Sequence, residues 1–104
     1  MIEIIGQTTA DKIKEISQNH SKREQWEKAR EEVEELLEEL MAGANPFSDD
    51  NLVYLTDNTW SECADVIIMI AQLAMQHGQE ETVRQQILYK IDRQLERDKE
   101  VKGK

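Results

Sequence analysis

Apolar residues recur along this chain at helical spacing, and no segment alternates in the way that a strand would. The clearest stretch carries one at every third or fourth position: Trp26, Ala29, Val33, Leu36, Leu37 and Leu40. Residues spaced in this way share one face of an amphipathic helix. The pattern predicts a helix over roughly 22–41 with Trp26 in its core face, and Gly43 and Pro46 end it.

Three further helices are predicted around this one. The first helix begins after Thr8 or Thr9 as N-cap and ends at Gln18, and its apolar stripe is Ala10, Ile13 and Ile16. The third helix runs from near Thr59 to just before Gly78. The fourth helix runs from about Glu80 to Lys99, and its narrow apolar stripe is Val83, Ile87, Ile91 and Leu95. A polar connection with one short turn around Leu52 to Leu55 joins the second helix to the third. The pattern predicts one all-α, bundle-like domain over 1–104, with a core of about 8–99 and frayed ends.

The third helix is apolar on nearly every side between Val66 and Met75. The other helices of a 104-residue chain are too few to surround it. We therefore expect a homo-oligomer, most simply a dimer, with this helix near the interface.

The composition narrows the classes of function. A formal net charge of −9 disfavours binding to nucleic acid. Cys63 is the single cysteine, which fits a reducing compartment. The N-terminal residues lack a signal-peptide pattern, and the longest apolar run, Val66 to Ala71, is too short to span a membrane. We expect a soluble, cytoplasmic protein without a membrane partner.

Two pairs of acids carry the candidate chemistry. Glu32 and Glu35 lie on the second helix, and Glu62 and Asp65 lie on the third, each pair at i,i+3 spacing. Such spacing points both carboxylates of a pair to the same side of a helix. If the two helices pack antiparallel, four carboxylates converge, which requires a cation. Oxygen ligands of this kind suit Mg²⁺ or Mn²⁺.

A solvated helix face is the alternative explanation for the second helix, which has six glutamates between Glu31 and Glu39. Glu62 has an alternative as well, because Thr59 and Glu62 match a capping box. Asp65 lies one turn deeper and has no cationic neighbour on its own stripe. Either a metal ion or a Lys or Arg from another helix must compensate the charge of Asp65, and the two pairs of acids together favour the metal.

The residues around both pairs resemble a known family. The segment Lys28 to Leu36 is similar to the K-x-x-E-E-x-x-E-L motif of the MazG-like nucleoside triphosphate pyrophosphohydrolases, and Glu62 to Val66 is similar to their E-x-x-D motif. With the basic helix that follows, the chain resembles short, single-domain members from phages and prophages. The resemblance covers about Gln25 to Arg97.

The resemblance implies an all-α fold and Mg²⁺-dependent hydrolysis of a nucleoside triphosphate to the monophosphate and pyrophosphate. It implies that Glu32, Glu35, Glu62 and Asp65 ligate the metal, and that the chain forms a dimer or tetramer. Either Glu35 or Glu31 is expected to accept the proton of the attacking water.

Six residues are candidates for substrate binding: Gln25, Lys28, Trp60, Lys90, Arg93 and Arg97. Gln25 matches a Gln frequent in phage-type relatives, and Trp60 could stack on a base. The cations could hold the leaving pyrophosphate, although surface pairing of the fourth helix with Asp92 and Glu96 is an equal alternative for its basic stripe. For the whole chain, the alternative is a non-enzymatic helical interaction module, or an inactive family member, that binds a basic partner.

Overall fold

The computed structural model describes residues 6–43 and 54–102, and this part of the chain is helical without a strand. The helices are α1 (Gln7–Gln18), α2 (Lys22–Ala42), α3 (Asp57–Gln76) and α4 (Glu80–Lys102). The all-α prediction is confirmed, and the predicted limits lie within three residues of the observed ones. The predicted turn around Leu52 to Leu55 lies largely outside the described residues.

α2 and α3 pack against each other, and α1 packs on α3. The α2–α3 pair is antiparallel, because the end of α2 contacts the start of α3. At the end of α2, Asn58 Nδ2 donates a hydrogen bond to Glu39 Oε1 at 2.5 Å, and Tyr54 N donates to Gly43 O at 2.7 Å. A Cβ atom at Gly43 would collide with the carbonyl oxygen of Tyr54. Glycine therefore allows the two chain segments to approach closely where the pair begins.

The start of α2 agrees with the sequence prediction. Ser21 is its N-cap, and the hydroxyl of Ser21 accepts a hydrogen bond from Glu24 N at 3.1 Å. This bond satisfies one of the backbone donors that a helix start leaves unpaired. The start of α1 differs from the prediction, because Gly6 rather than Thr8 or Thr9 is the N-cap.

The start of α3 corrects the sequence prediction. Thr56 is the N-cap, three residues before the predicted cap Thr59, and Thr59 Oγ1 accepts a hydrogen bond from Thr56 N at 3.1 Å. Thr59 thus occupies the third helical position that the prediction had given to Glu62. Glu62 lies one turn deeper in the helix, so capping does not account for its carboxylate.

Replacing Ser21 with Ala is expected to lower the free energy of unfolding by about 1 kcal/mol, because the Glu24 backbone donor loses its acceptor. Urea unfolding followed by circular dichroism measures the loss. Ser61→Ala is the matched control, since Ser61 is exposed within α3 and alanine is a good helix former. An equal loss in both variants would show that the Ser21 cap does not stabilise α2.

The apolar core of the described residues is small. Its buried members are Ala10 and Ile13 of α1 and Met69 and Ala71 of α3. Gln76 Nε2 adds a polar tie, donating to Ser17 O at 3.2 Å and to His20 O at 2.7 Å. Several side chains of the predicted apolar faces are instead more than 40% exposed: Ile16, Trp26, Val33, Leu37 and Leu40. Each lies on a side of its helix that no other described helix covers.

α4 extends away from the other helices. Each of its side chains from Glu80 to Val101 is exposed, except Val83, which is half-buried. Within one chain α3 is not buried all round either, because Ile68 and Ile70 are exposed. Among residues 6–43 and 54–102, none of the helices combines the length and apolarity needed to cross a bilayer.

Candidate metal centre

Three carboxylates from two helices meet between α2 and α3. Glu32 and Glu35 project from α2 and Glu62 from α3, and one carboxylate oxygen of each lies within 4.8 Å of the other two. The i,i+3 spacing on α2 directs its two acids to one side, and the antiparallel packing brings the first turns of α3 opposite them. We call these three residues the acid centre.

Two oxygens of the acid centre are buried and unpaired. Glu32 is 6% exposed. Its Oε1 pairs with Lys28 Nζ at 3.1 Å, whereas its Oε2 has no hydrogen-bond partner. Glu62 Oε2 is likewise buried without a partner. A buried carboxylate oxygen that lacks a donor carries an uncompensated desolvation cost, and a bound cation compensates it.

The electrostatics of the acid centre follow from this crowding. Burial raises the pKa of Glu62 above its ordinary value, and the negative charges of Glu35, Asp65 and Glu32 raise it further. The hydrogen bond to Glu32, together with the charge of that carboxylate, raises the pKa of Lys28. Lys28 is therefore a firmly charged ammonium at the edge of a site that still holds excess negative charge.

The fourth predicted ligand, Asp65, stands slightly apart. It is half-buried one turn after Glu62 and close enough to affect the pKa of that group, but it does not belong to the group of three. The structure thus brings together three of the four predicted ligands, and Asp65 as a ligand stays a prediction. Glu31, the other candidate base, is exposed with its carboxylate 3.6 Å from Lys28 Nζ.

An open cleft of about 420 Å³ adjoins the acid centre between α2 and α3. Its lining residues are His20, Glu24, Gln25, Glu27, Lys28, Glu31, Met69 and Gln72. The side chains of Gln25 and Gln72 are buried, and Gln25 Oε1 has no hydrogen-bond partner. The predicted substrate residues Gln25 and Lys28 therefore lie together in a cavity that could hold a small molecule.

The sequence analysis missed Met69 and Gln72 as cleft residues. The signal for Gln72 was present, because it is a polar residue in an apolar helix, seven positions after Asp65 and thus on the same stripe. Met69 lies in the apolar stretch of the third helix, where its spacing does not distinguish a core residue from a cleft residue. It is buried, but it also forms part of the cleft.

Four predicted substrate residues are not brought to the cleft within one chain. Trp60 is exposed on α3 and does not line the cleft. Lys90, Arg93 and Arg97 are exposed on α4 and do not line it either. The guanidinium of Arg93 lies over the ring of Tyr89, 5.6 Å from its centroid. A role of these four residues in substrate binding stays a prediction.

Comparisons with protein-family models, with curated proteins and with solved structures give no match for this chain.

Proposed function

We propose that this protein is a Mg²⁺-dependent hydrolase that converts a nucleoside triphosphate to the monophosphate and pyrophosphate. The observation that carries the proposal is the acid centre, in which three carboxylates converge and two buried oxygens lack a donor. The reaction itself comes from the resemblance of Lys28 to Leu36 and of Glu62 to Val66 to the MazG-like motifs.

The donor atoms fit a hard divalent cation. All three residues of the acid centre offer carboxylate oxygens, which suit Mg²⁺ or Mn²⁺ better than soft metals. Glu32, Glu35 and Glu62 would hold the ion, with Asp65 as a further ligand. When bound, such an ion neutralises phosphate oxygens and lowers the pKa of a coordinated water.

The surrounding residues supply the remaining functions of a phosphoanhydride hydrolase. Lys28 presents its ammonium where the cleft meets the acid centre, and we assign it to hold phosphate oxygens of the substrate. Glu35, which is exposed, or Glu31 accepts the proton of the attacking water. The cleft then takes the nucleoside, with the amides of Gln25 and Gln72 at its buried side.

The test is a measurement of pyrophosphate release from a panel of ribo- and deoxyribonucleoside triphosphates with Mg²⁺, with Mn²⁺ and with EDTA. We expect release from at least one nucleotide, with EDTA abolishing it. Asp65→Asn is expected to reduce the rate, because the amide offers the ion a neutral oxygen in place of a carboxylate. Release that persists in EDTA would contradict the proposed role of the metal.

The second candidate is a non-enzymatic module that binds a basic partner through the acid centre. The contact of Lys28 with Glu32 favours it, because an ammonium already occupies one oxygen of the cluster. If the protein is such a module, we expect no pyrophosphate release from any nucleotide and no rise of the melting temperature with Mg²⁺. If the protein is a hydrolase, we expect both pyrophosphate release and a higher melting temperature with Mg²⁺, since a ligand that binds the native state stabilises it.

A further inference from the structure

α2 carries three pairs of a Lys or Arg with a Glu at i,i+4 spacing, and one of these pairs differs from the other two in burial. In two of them both side chains are more than half exposed; these are Arg23 with Glu27 and Arg30 with Glu34. The third pair joins Lys28, whose side chain is 54% exposed, to Glu32, whose side chain is 8% exposed. Exposed pairs contribute little to stability. The third pair has a different role, because it brings a charged donor to a buried carboxylate.

Glu32 is the most buried member of the acid centre, and within residues 6–43 and 54–102 it is the only member with a cationic partner. Glu62 is half-buried and Glu35 is exposed. A carboxylate removed from water is unfavourable unless a donor or a cation compensates its charge. A glutamate side chain has rotatable bonds that allow an uncompensated carboxylate to turn toward water. The contact with Lys28 therefore stabilises the buried position of Glu32.

The two carboxylate oxygens of Glu32 differ in their contacts. Lys28 Nζ lies 3.1 Å from Oε1, whereas Oε2 is buried and has no hydrogen-bond partner. The other buried, unpaired oxygen of the acid centre belongs to Glu62. A carboxylate that binds a metal is commonly held by a hydrogen bond from a residue outside the ligand set, which fixes its orientation. The contact at Oε1 thus leaves Oε2 free for an ion in the acid centre.

The ammonium of Lys28 has more donors than this contact requires. It carries three N–H groups. Its Nζ lies 3.1 Å from Glu32 Oε1 and 3.6 Å from Glu31 Oε2, and the second distance is too long for a hydrogen bond. The same side chain lines the cleft. At least one N–H group is left for a phosphate oxygen, so the contact with Glu32 is compatible with the phosphate contact assigned above.

We propose that Lys28 is a positioning residue of the metal centre, which holds the carboxylate of Glu32 in its buried position with one oxygen free for a divalent ion. This inference rests on the proposed function, since it requires that the acid centre binds such an ion. The competing role has the opposite sign, because an ammonium that only occupied the site would repel the ion and weaken its binding. The unpaired Oε2 favours positioning, since a competing ammonium would contact the free oxygens as well.

The experiment measures Mn²⁺ binding to the full chain without nucleotide, from the loss of the electron paramagnetic resonance signal of free Mn²⁺. Mn²⁺ takes the same oxygen ligands as Mg²⁺. Because nucleotide is absent, the phosphate contact of Lys28 does not influence the result. Lys28→Met removes the donor and is expected to raise the Mn²⁺ dissociation constant by about tenfold to 100-fold. Lys28→Arg keeps a charged donor and should bind Mn²⁺ with an affinity close to that of the wild-type chain.

Arg30→Met is the matched control for Lys28→Met. It removes an equal charge from α2 and an equally spaced partner from a glutamate, but that glutamate, Glu34, is exposed. The Mn²⁺ affinity should not change. Lys28→Ala repeats the test with a residue that favours the helix, and circular dichroism checks that each variant is folded.

Equal or tighter Mn²⁺ binding by Lys28→Met and Lys28→Ala overturns the inference, and tighter binding identifies the ammonium as a competitor of the ion. A loss in Lys28→Arg as large as that in Lys28→Met also overturns it, because a charged donor would then not be what Glu32 requires. A wild-type chain that binds no Mn²⁺ overturns the metal centre of the proposed function itself. The failures are distinguishable, since the first two leave binding by the wild-type chain intact.

Discussion

Glu35→Gln is expected to reduce Mg²⁺-dependent pyrophosphate release by at least about 100-fold, the smallest contribution expected of a positioned general base. The substitution keeps the shape of the side chain but removes one of the three converging charges. Because Glu35 is exposed and no ion pair among the described residues involves it, its loss should not damage folding. The same variant is expected to lose most of the rise in melting temperature that Mg²⁺ gives the wild-type chain.

Glu34→Gln is the matched control for this result. Glu34 is adjacent in sequence, exposed, and paired with Arg30 on the other side of α2. The charge change is identical, so any loss that comes from net charge alone must appear in both variants. If Glu35→Gln releases pyrophosphate at the wild-type rate, or if the two variants lose activity equally, the assignment of Glu35 to the metal centre is wrong.

Glu62→Gln is expected to have opposite effects on stability and on metal binding. Burial, with the charges of Glu35, Asp65 and Glu32, raises the pKa of Glu62 in the folded chain. A carboxyl with a raised folded pKa stabilises the native state below its unfolded value of 4.5, and this contribution is lost as pH rises through the folded pKa. At neutral pH without metal the charge of Glu62 therefore costs stability. The neutral amide should raise the melting temperature by a few degrees while weakening Mg²⁺ binding.

The pH dependence of the unfolding free energy tests the direction of the Glu62→Gln effect a second time. Without metal, the stability difference between Glu62→Gln and the wild-type chain should shrink as the solution is acidified from pH 7 toward 4.5, because protonation neutralises the wild-type residue. Glu81→Gln is a control of opposite sign. Hydrogen bonds from Arg84 and Gln85 lower the pKa of Glu81 to about 2. Its contribution is present above 4.5 and is lost as pH falls toward 2, so the amide should not stabilise the chain at pH 7. A metal-free Glu62→Gln variant that melts below the wild type would mean that Glu62 is stabilised by a partner rather than repelled.

The helices and most of the acid centre could be predicted from the sequence because both depend on local spacing. A period of three to four residues decides which side chains share a helix face, and it places Glu32 and Glu35 on one face whatever the tertiary contacts are. The start of α2 at Lys22 could be predicted for the same reason, since the bond from Glu24 N to the Ser21 hydroxyl spans only three residues.

Other features could not be predicted because they depend on which face meets which neighbour. Trp26 has core spacing but lies on the side of α2 that no described helix covers. The start of α3 was misplaced because two threonines compete for the N-cap, and only the backbone geometry decides between Thr56 and Thr59. Lys90, Arg93 and Arg97 share a helix face, yet sequence spacing on α4 holds no information on where that helix points.

The sequence by itself determined an all-α chain and two pairs of acids, each directed to one side of its own helix, because helical periodicity is set by neighbouring residues. Only the tertiary structure decided that Glu62 faces Glu32 and Glu35, that Asp65 stands outside this group, and that a cleft with buried glutamines adjoins it. It also left apolar side chains of α2 and α4 exposed, among them Leu37 and Ile91. These outcomes depend on the register and rotation of one helix against another, which packing between residues distant in sequence fixes.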